Sequence, residues 1–124
     1  MAFALVTIGV PPLDLAADIG QLSPGARYIP ADLSDLEAVS KVIEGADMIV
    51  HFGANSDEAP FDDILQSNII GAYNVWEAAH RHGVRRIVYA SSNHAVGFHP
   101  REKGCDTDAD HMPDTLYGLS KCFV

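Results

Sequence analysis

Short apolar runs alternate with amphipathic stretches along this chain, and that alternation restricts its fold more than any other feature. Residues 4–8 (ALVTI), 26–30 (ARYIP), 47–52 (DMIVHF) and 85–91 (RRIVYAS) read as strands. Gly9, Pro11 and Pro12 stop the first of them. Ser34 and Glu37 stand at capping-box spacing before Leu36, Val39 and Ile43, a helix that closes near Gly45. A longer helix is predicted from Phe61 to about His82, where Gly83 supplies a stop, with Leu65, Ile69, Tyr73 and Trp76 on one face. A polar loop covers roughly 93–113, and a last helix starts near Asp114. The order β, β, α, β, α, β, α, with strands that carry no regular polar alternation, predicts an α/β fold. Its sheet is parallel, of about four strands, with helices on both faces.

Charge and length exclude several functions. Seventeen acidic residues against eight basic ones give a formal net charge of −9. The basic cluster of Arg81, Arg85 and Arg86 reads as a solvated turn rim, so no nucleic-acid partner is expected. No apolar run approaches the roughly 20 residues of a membrane span, and the N-terminus lacks the features of a secretory leader. A cytoplasmic protein with no membrane partner is expected. At 124 residues the chain is one domain at most. Cys105 and Cys122 read as free thiols. The DTDAD run at 106–110 lacks the turn glycine and terminal glutamate of a calcium loop, and Cys105 with His111 is too few ligands for zinc; no metal is expected.

Open parallel sheets bind ligands beyond the C-terminal ends of their strands. Asp32 and Leu33 follow the second strand, Gly53, Ala54, Asn55 and Ser56 the third, and Ser91, Ser92, Asn93 and His94 the fourth. Alone, these are equally ordinary loop residues. The last helix shifts the balance, because Tyr117 and Lys121 are four apart and share one face. A free phenol ionises near pH ~10, too high for an efficient base near neutrality, and an ammonium beside it stabilises the phenolate. Ser92, at a strand end upstream, is placed to hydrogen-bond the same substrate oxygen.

HFGANS at 51–56, SNIIGAYNVWEAA at 67–79, RIVYASS at 86–92 and YGLSK at 117–121 resemble the extended short-chain dehydrogenases, the NAD-dependent epimerase/dehydratase family. Within that family, SSNHAVGFHP at 91–100 and PDTLYGLSKCF at 113–123 are most similar to the uronate dehydrogenases. The resemblance implies a partial Rossmann-type, doubly wound sheet, NAD as cofactor and a small sugar acid as substrate. It implies Tyr117 as the general base, Lys121 as the group that holds the nicotinamide ribose, and Ser92 as the group that orients the reacting oxygen. Asn93, His94 and Ser56 would contact the sugar. Asp32 and Leu33 would lie beside the adenine, and Phe52, Gly53 and Ala54 would line the cofactor groove. Ser91 would face the nicotinamide, beside Tyr117 and Lys121, and Asn68 would lie near the cofactor or active site. A homodimer paired through the 61–82 helix is a further implication. Bland readings stand beside these: Asn68 as a buried polar residue bonded to a loop, His94 as a loop residue without a ligand, His51 as structural, and Trp76 and Tyr73 as packing residues.

The chain departs from the family's pattern at its front. The Gly-x-x-Gly-x-x-Gly turn that cradles a pyrophosphate is absent from the sequence. Gly9 precedes Asp32 by 23 residues, and on that spacing we assign residues 4–8 to the family's second strand. The ribose-gripping acid then falls on Gly9, and Asp14, beyond two prolines, does not take over its role. Three residues follow Lys121. We therefore expect a domain cut at both ends, without the glycine turn or the C-terminal substrate segment, that binds NAD weakly and has little or no activity. A nucleotide-sugar epimerase or dehydratase of the same superfamily and an inactive fragment remain as alternatives.

Overall fold

The computed structural model describes residues 3–6 and 29–124. Strands β1 (Phe3–Val6), β2 (Met48–His51) and β3 (Ile87–Tyr89) form a sheet in the order β1-β2-β3. Both pairings are parallel, with Phe3 opposite Met48 and Ile49 opposite Ile87. This corrects the assignment of residues 4–8. In a doubly wound sheet of order 3-2-1-4-5-6 the second strand is separated from the fourth by the first. Here Phe3–Val6 is in register with Met48–His51 along its whole length, which leaves no space for a strand between them. It occupies the position of the first strand. Of the predicted 26–30 strand, residues 29 and 30 are not in a strand, and 26–28 lie outside the described residues. So do Gly9, Pro11, Pro12 and Asp14.

Helix α1 (Leu36–Ile43) is capped by Asp35 rather than Ser34. The Asp35 carboxylate accepts from the N–H groups of Glu37 and Ala38 at 3.0 and 3.1 Å. Ser34 is taken by Asp32, whose carboxylate accepts from its N–H and hydroxyl at 2.9 and 2.8 Å. Asp and Ser cap about equally well, so the capture of Ser34 by Asp32 leaves the cap to Asp35, whose charge also suits the positive end of the helix. Asp35→Ala should lower stability by about 1 kcal/mol, read as a fall in the urea midpoint.

Helix α2 runs on through Phe61–Ile64, a π turn at Leu65–Ile70, and Gly71–Arg81. Its buried face is not the predicted one. Tyr73 is 60% exposed, while Gly71, Ala72, Val75, Ala78 and Ala79 are buried. Small residues let α2 come close to its neighbours: a Cβ on Gly71 would lie 2.8 Å from that of Leu33. Reading apolar periodicity undervalues such a face. The core joins Val39 and Ile43 of α1, Ile49 of β2, and Val75, Ala78 and Ala79 of α2, with Leu33 and Val84. Ile49, His51, Ile87 and Tyr89 share this side of the sheet; Val88, on the other side, is half exposed. Arg81 pairs with Glu37 and Glu77 at 3.1 and 2.9 Å, in line with a solvated rim. No helix among the described residues is long and apolar enough to cross a membrane.

Candidate active site

Beyond β3 the chain leaves the sheet at Ala90, whose N–H donates to the His51 carbonyl at 3.1 Å. Ser92 then caps a 3-10 turn at Asn93–Val96, its hydroxyl oxygen accepting from the His94 N–H at 3.1 Å. Helix α3 (Leu116–Phe123) starts at Thr115, whose hydroxyl oxygen accepts from the Gly118 N–H at 2.8 Å. The helix and the turn touch at Gly118, where a Cβ would run into the His94 carbonyl. Glycine in a helix interior costs about 1 kcal/mol relative to alanine. Here it permits the approach that sets Tyr117 against His94, ring centroids 6.1 Å apart.

Lys121 lies one turn further on and is 4% exposed. Its ammonium donates to the Ala90 carbonyl at 2.9 Å and sits over the rings of Tyr89 and Tyr117, at 4.6 and 5.5 Å from their centroids. Carbonyl dipole and ring faces offset the loss of water around the charge. Burial nonetheless moves the Lys121 pKa below the ordinary lysine range. Tyr89 is pushed up to about 12, chiefly by burial and then by the neighbouring Tyr117 and Cys122 when they ionise.

These shifts act on stability in opposite senses. The raised Tyr89 pKa contributes stability that is full below the unfolded value of 10.0 and is lost as pH rises through about 12. The lowered Lys121 pKa makes the unfolded chain the better proton binder, so its contribution grows with pH until the ordinary lysine range is passed. Tyr89→Phe should therefore remove about 1–2 kcal/mol of the alkaline loss, discounted for partial exposure, when urea midpoints are compared across that window.

Asn68, on the π turn of α2, ties this centre together. Its side-chain oxygen accepts from the Asn55 N–H at 2.7 Å, and its amide donates to the Asn55 carbonyl at 3.0 Å and the Ser120 hydroxyl at 2.9 Å. The loop after β2 is thus joined to α3. Glu58 adds a second link, its carboxylate accepting from the Tyr117 N–H at 3.3 Å. π turns inside helices recur at functional sites.

Tyr117, Lys121, Ser92 and His94 are brought to one place, the junction of α3 with the turn after β3. Ser91 and Asn93 are exposed on that turn, and Ser56 is exposed on the loop after β2. Phe52 is 58% exposed, Gly53 is buried and Ala54 half-buried. Leu33 stands apart: its side chain is in the core and its carbonyl accepts from Asn74 at 2.7 Å, so only its main chain could meet a ligand. The Asp32 carboxylate is engaged by Ser34, which holds its pKa below the usual range. Asn68 is 3% exposed and bonds protein groups, the blander of its two readings. His51 packs its ring at 5.6 Å from both Trp76 and Tyr89. Sequence reasoning missed Tyr89, Ser120 and Asp114. Tyr89 was legible, because alternation along β3 puts it on the same side as Ile87; the other two depend on contacts no spacing reveals. Among the described residues no group of three or more His, Cys, Asp or Glu is disposed to hold a metal, and both cysteines are free. A hollow of about 380 Å³ in the following loop is lined by His99, Lys103, Gly104, Cys105, Asp106 and Ala109.

The donor set fits the nicotinamide end of NAD. Lys121 is a buried ammonium with three hydrogens, of which the Ala90 carbonyl takes one, leaving donors for ribose hydroxyls. Gly53, buried, and Phe52, 58% exposed, follow β2 at the same end of the sheet as Ala90.

Known proteins are similar to this chain over most of its length. The uronate dehydrogenase of Pseudomonas putida is 46% identical over 111 residues, covering 86% of this chain and 41% of that protein. That of Agrobacterium fabrum is 52% identical over 95 residues, covering 77% of this chain and 36% of that protein. A solved uronate dehydrogenase mutant from Agrobacterium tumefaciens, complexed with NAD, superposes with a TM-score of 0.78 at 39% identity, over 98% of this chain and 52% of that one. The chain thus spans about two fifths of the curated relatives and about half of the solved one. The profile of the NAD dependent epimerase/dehydratase family matches residues 11–124, so the chain belongs to that family, with its Rossmann-like α/β fold.

Proposed function

We propose that this chain carries the catalytic centre of a cytoplasmic NAD-dependent dehydrogenase that oxidises a hexuronic acid, glucuronate or galacturonate, to its aldarolactone. The observation that carries the reading is the Lys121 ammonium, buried against the Ala90 carbonyl and beside the Tyr117 ring. A buried cation with a perturbed pKa at the end of a parallel sheet marks a functional centre more readily than a structural one. Kinship with uronate dehydrogenases supports the substrate class.

Bound NAD supplies a hydride acceptor at its nicotinamide ring. The remaining work falls to this chain's own groups. Tyr117 takes the proton from the anomeric hydroxyl at its phenolic oxygen. Lys121 holds the ribose hydroxyls and favours the ionised phenol. Ser92 steadies the reacting oxygen, and Asn93, His94 and Ser56 orient the sugar acid. Phe52, Gly53, Ala54 and Ser91 border the cofactor, with the main chain at Asp32 and Leu33 under the adenine. Asn68 acts through Asn55 and Ser120, by setting the separation of the two loops.

The test supplies the purified chain and NAD with galacturonate, glucuronate, UDP-glucose or UDP-galactose. NADH formation with the free uronates alone is expected, at a low rate. Turnover of the UDP-sugars alone would move the assignment to an epimerase or dehydratase of the same family.

A further inference from the structure

Asp114 lies just before α3, outside the residues the motifs single out. Its carboxylate stands 2.8 Å from Nδ1 of His94, and its main-chain N–H donates to the His94 carbonyl at 3.3 Å. A carboxylate has no hydrogen to give, so Nδ1 carries one whatever the charge of the ring. In the neutral ring Nε2 is then the acceptor. Gly97 makes room for this contact: a Cβ there would stand against the Asp114 carboxyl group. Gly97 has an ordinary right-handed helical backbone, so only this crowding argues against a side chain. The His94 side chain is 43% exposed and crosses the Tyr117 ring nearly edge-on, at 69°, so it borders the same surface as the proposed base.

We propose that Asp114 is a positioning residue of the sugar site: it holds His94 with its hydrogen on Nδ1, so that Nε2 accepts a hydrogen bond from a hydroxyl of the bound sugar acid. The proposal rests on the dehydrogenase reading above. Without Asp114 the ring is free to rotate and to carry its hydrogen on Nε2, which removes the acceptor. Pairing that served only to anchor the 93–99 turn would leave sugar binding indifferent to the tautomer.

The test follows His94 by nitrogen-15 NMR in histidine-labelled full chain, slightly alkaline of neutrality, with galacturonate and NAD titrated separately. The wild type should show hydrogen on Nδ1. Asp114→Ala should shift hydrogen to Nε2 and weaken galacturonate about tenfold, the loss of roughly one hydrogen bond, with NAD binding unchanged. Gly97→Ala should act in the same direction by displacing the carboxylate while both partners remain, which keeps the test decisive if Asp114→Ala does not fold. Asp114→Asn, whose side-chain carbonyl can still accept from Nδ1, should restore affinity to within about threefold. An unchanged tautomer in Asp114→Ala and Gly97→Ala would overturn the proposal, as would a switched tautomer with unchanged galacturonate affinity. A wild-type chain that holds the Nδ1 hydrogen yet binds no galacturonate would overturn the sugar-acid reading and the purpose given to Asp114 with it. That result is distinct from binding that ignores the substitutions.

Discussion

Tyr117→Phe should lower galacturonate-dependent NADH formation by about a thousandfold, within the range that a positioned general base contributes. Thermal unfolding should move little, since only a hydroxyl is lost and the ring keeps its neighbours His94 and Lys121. Initial rates at saturating NAD, with a thermal melt of the same preparation, check both halves. Tyr117 is a cleaner site for this test than Ser92. The Ser92 hydroxyl also accepts the His94 N–H that opens the 3-10 turn, so Ser92→Ala would mix a lost cap with a lost substrate contact. A rate that survives Tyr117→Phe would remove this tyrosine from the chemistry.

The largest stability effect is expected at Asn68. Replacing it with leucine strips partners from the Asn55 N–H, the Asn55 carbonyl and the Ser120 hydroxyl, and inserts a branched apolar side chain among them. Each unsatisfied group costs about 1 kcal/mol or more, so a loss of roughly 3 kcal/mol is expected in urea unfolding. Asn68→Asp keeps the oxygen facing the Asn55 N–H but sets a second acceptor against the Asn55 carbonyl and buries a charge, so it should destabilise at least as much as leucine. Because Asn68 joins the loop after β2 to α3, the leucine variant should also raise the KM for the sugar acid.

Much of this was legible from local pattern, and what was not depended on distant contacts. The α2 helix was expected from Phe61 to about His82 and is found over 61–81, because Pro60 and Gly83 bracket a long helical run. The Tyr117 and Lys121 pairing follows from helical spacing alone, which is a local property. The cap of α1 was missed because Ser34 and Asp35 are both good capping residues, and Asp32 decides between them by capturing the serine. The buried face of α2 was misread because glycine and alanine pack it, and their small size shows only against Leu33 and α1. Strand position failed more deeply. Counting residues from Gly9 to Asp32 says how far the chain travels, whereas hydrogen-bond register says where it lies, beside Met48–His51. The roles of Asn68 and Asp114 rest on partners up to 52 and 20 residues away, which no motif spacing encodes.

Lys121 and Tyr117 are expected to border the nicotinamide end of a bound NAD. Nuclear Overhauser contacts between the labelled chain and NAD test this directly. Contacts from the Tyr117 ring protons to the nicotinamide, and from the Lys121 side chain to its ribose, are the predicted result. NAD contacts confined to the hollow beside His99 and Cys105, with Tyr117 and Lys121 silent, would contradict it.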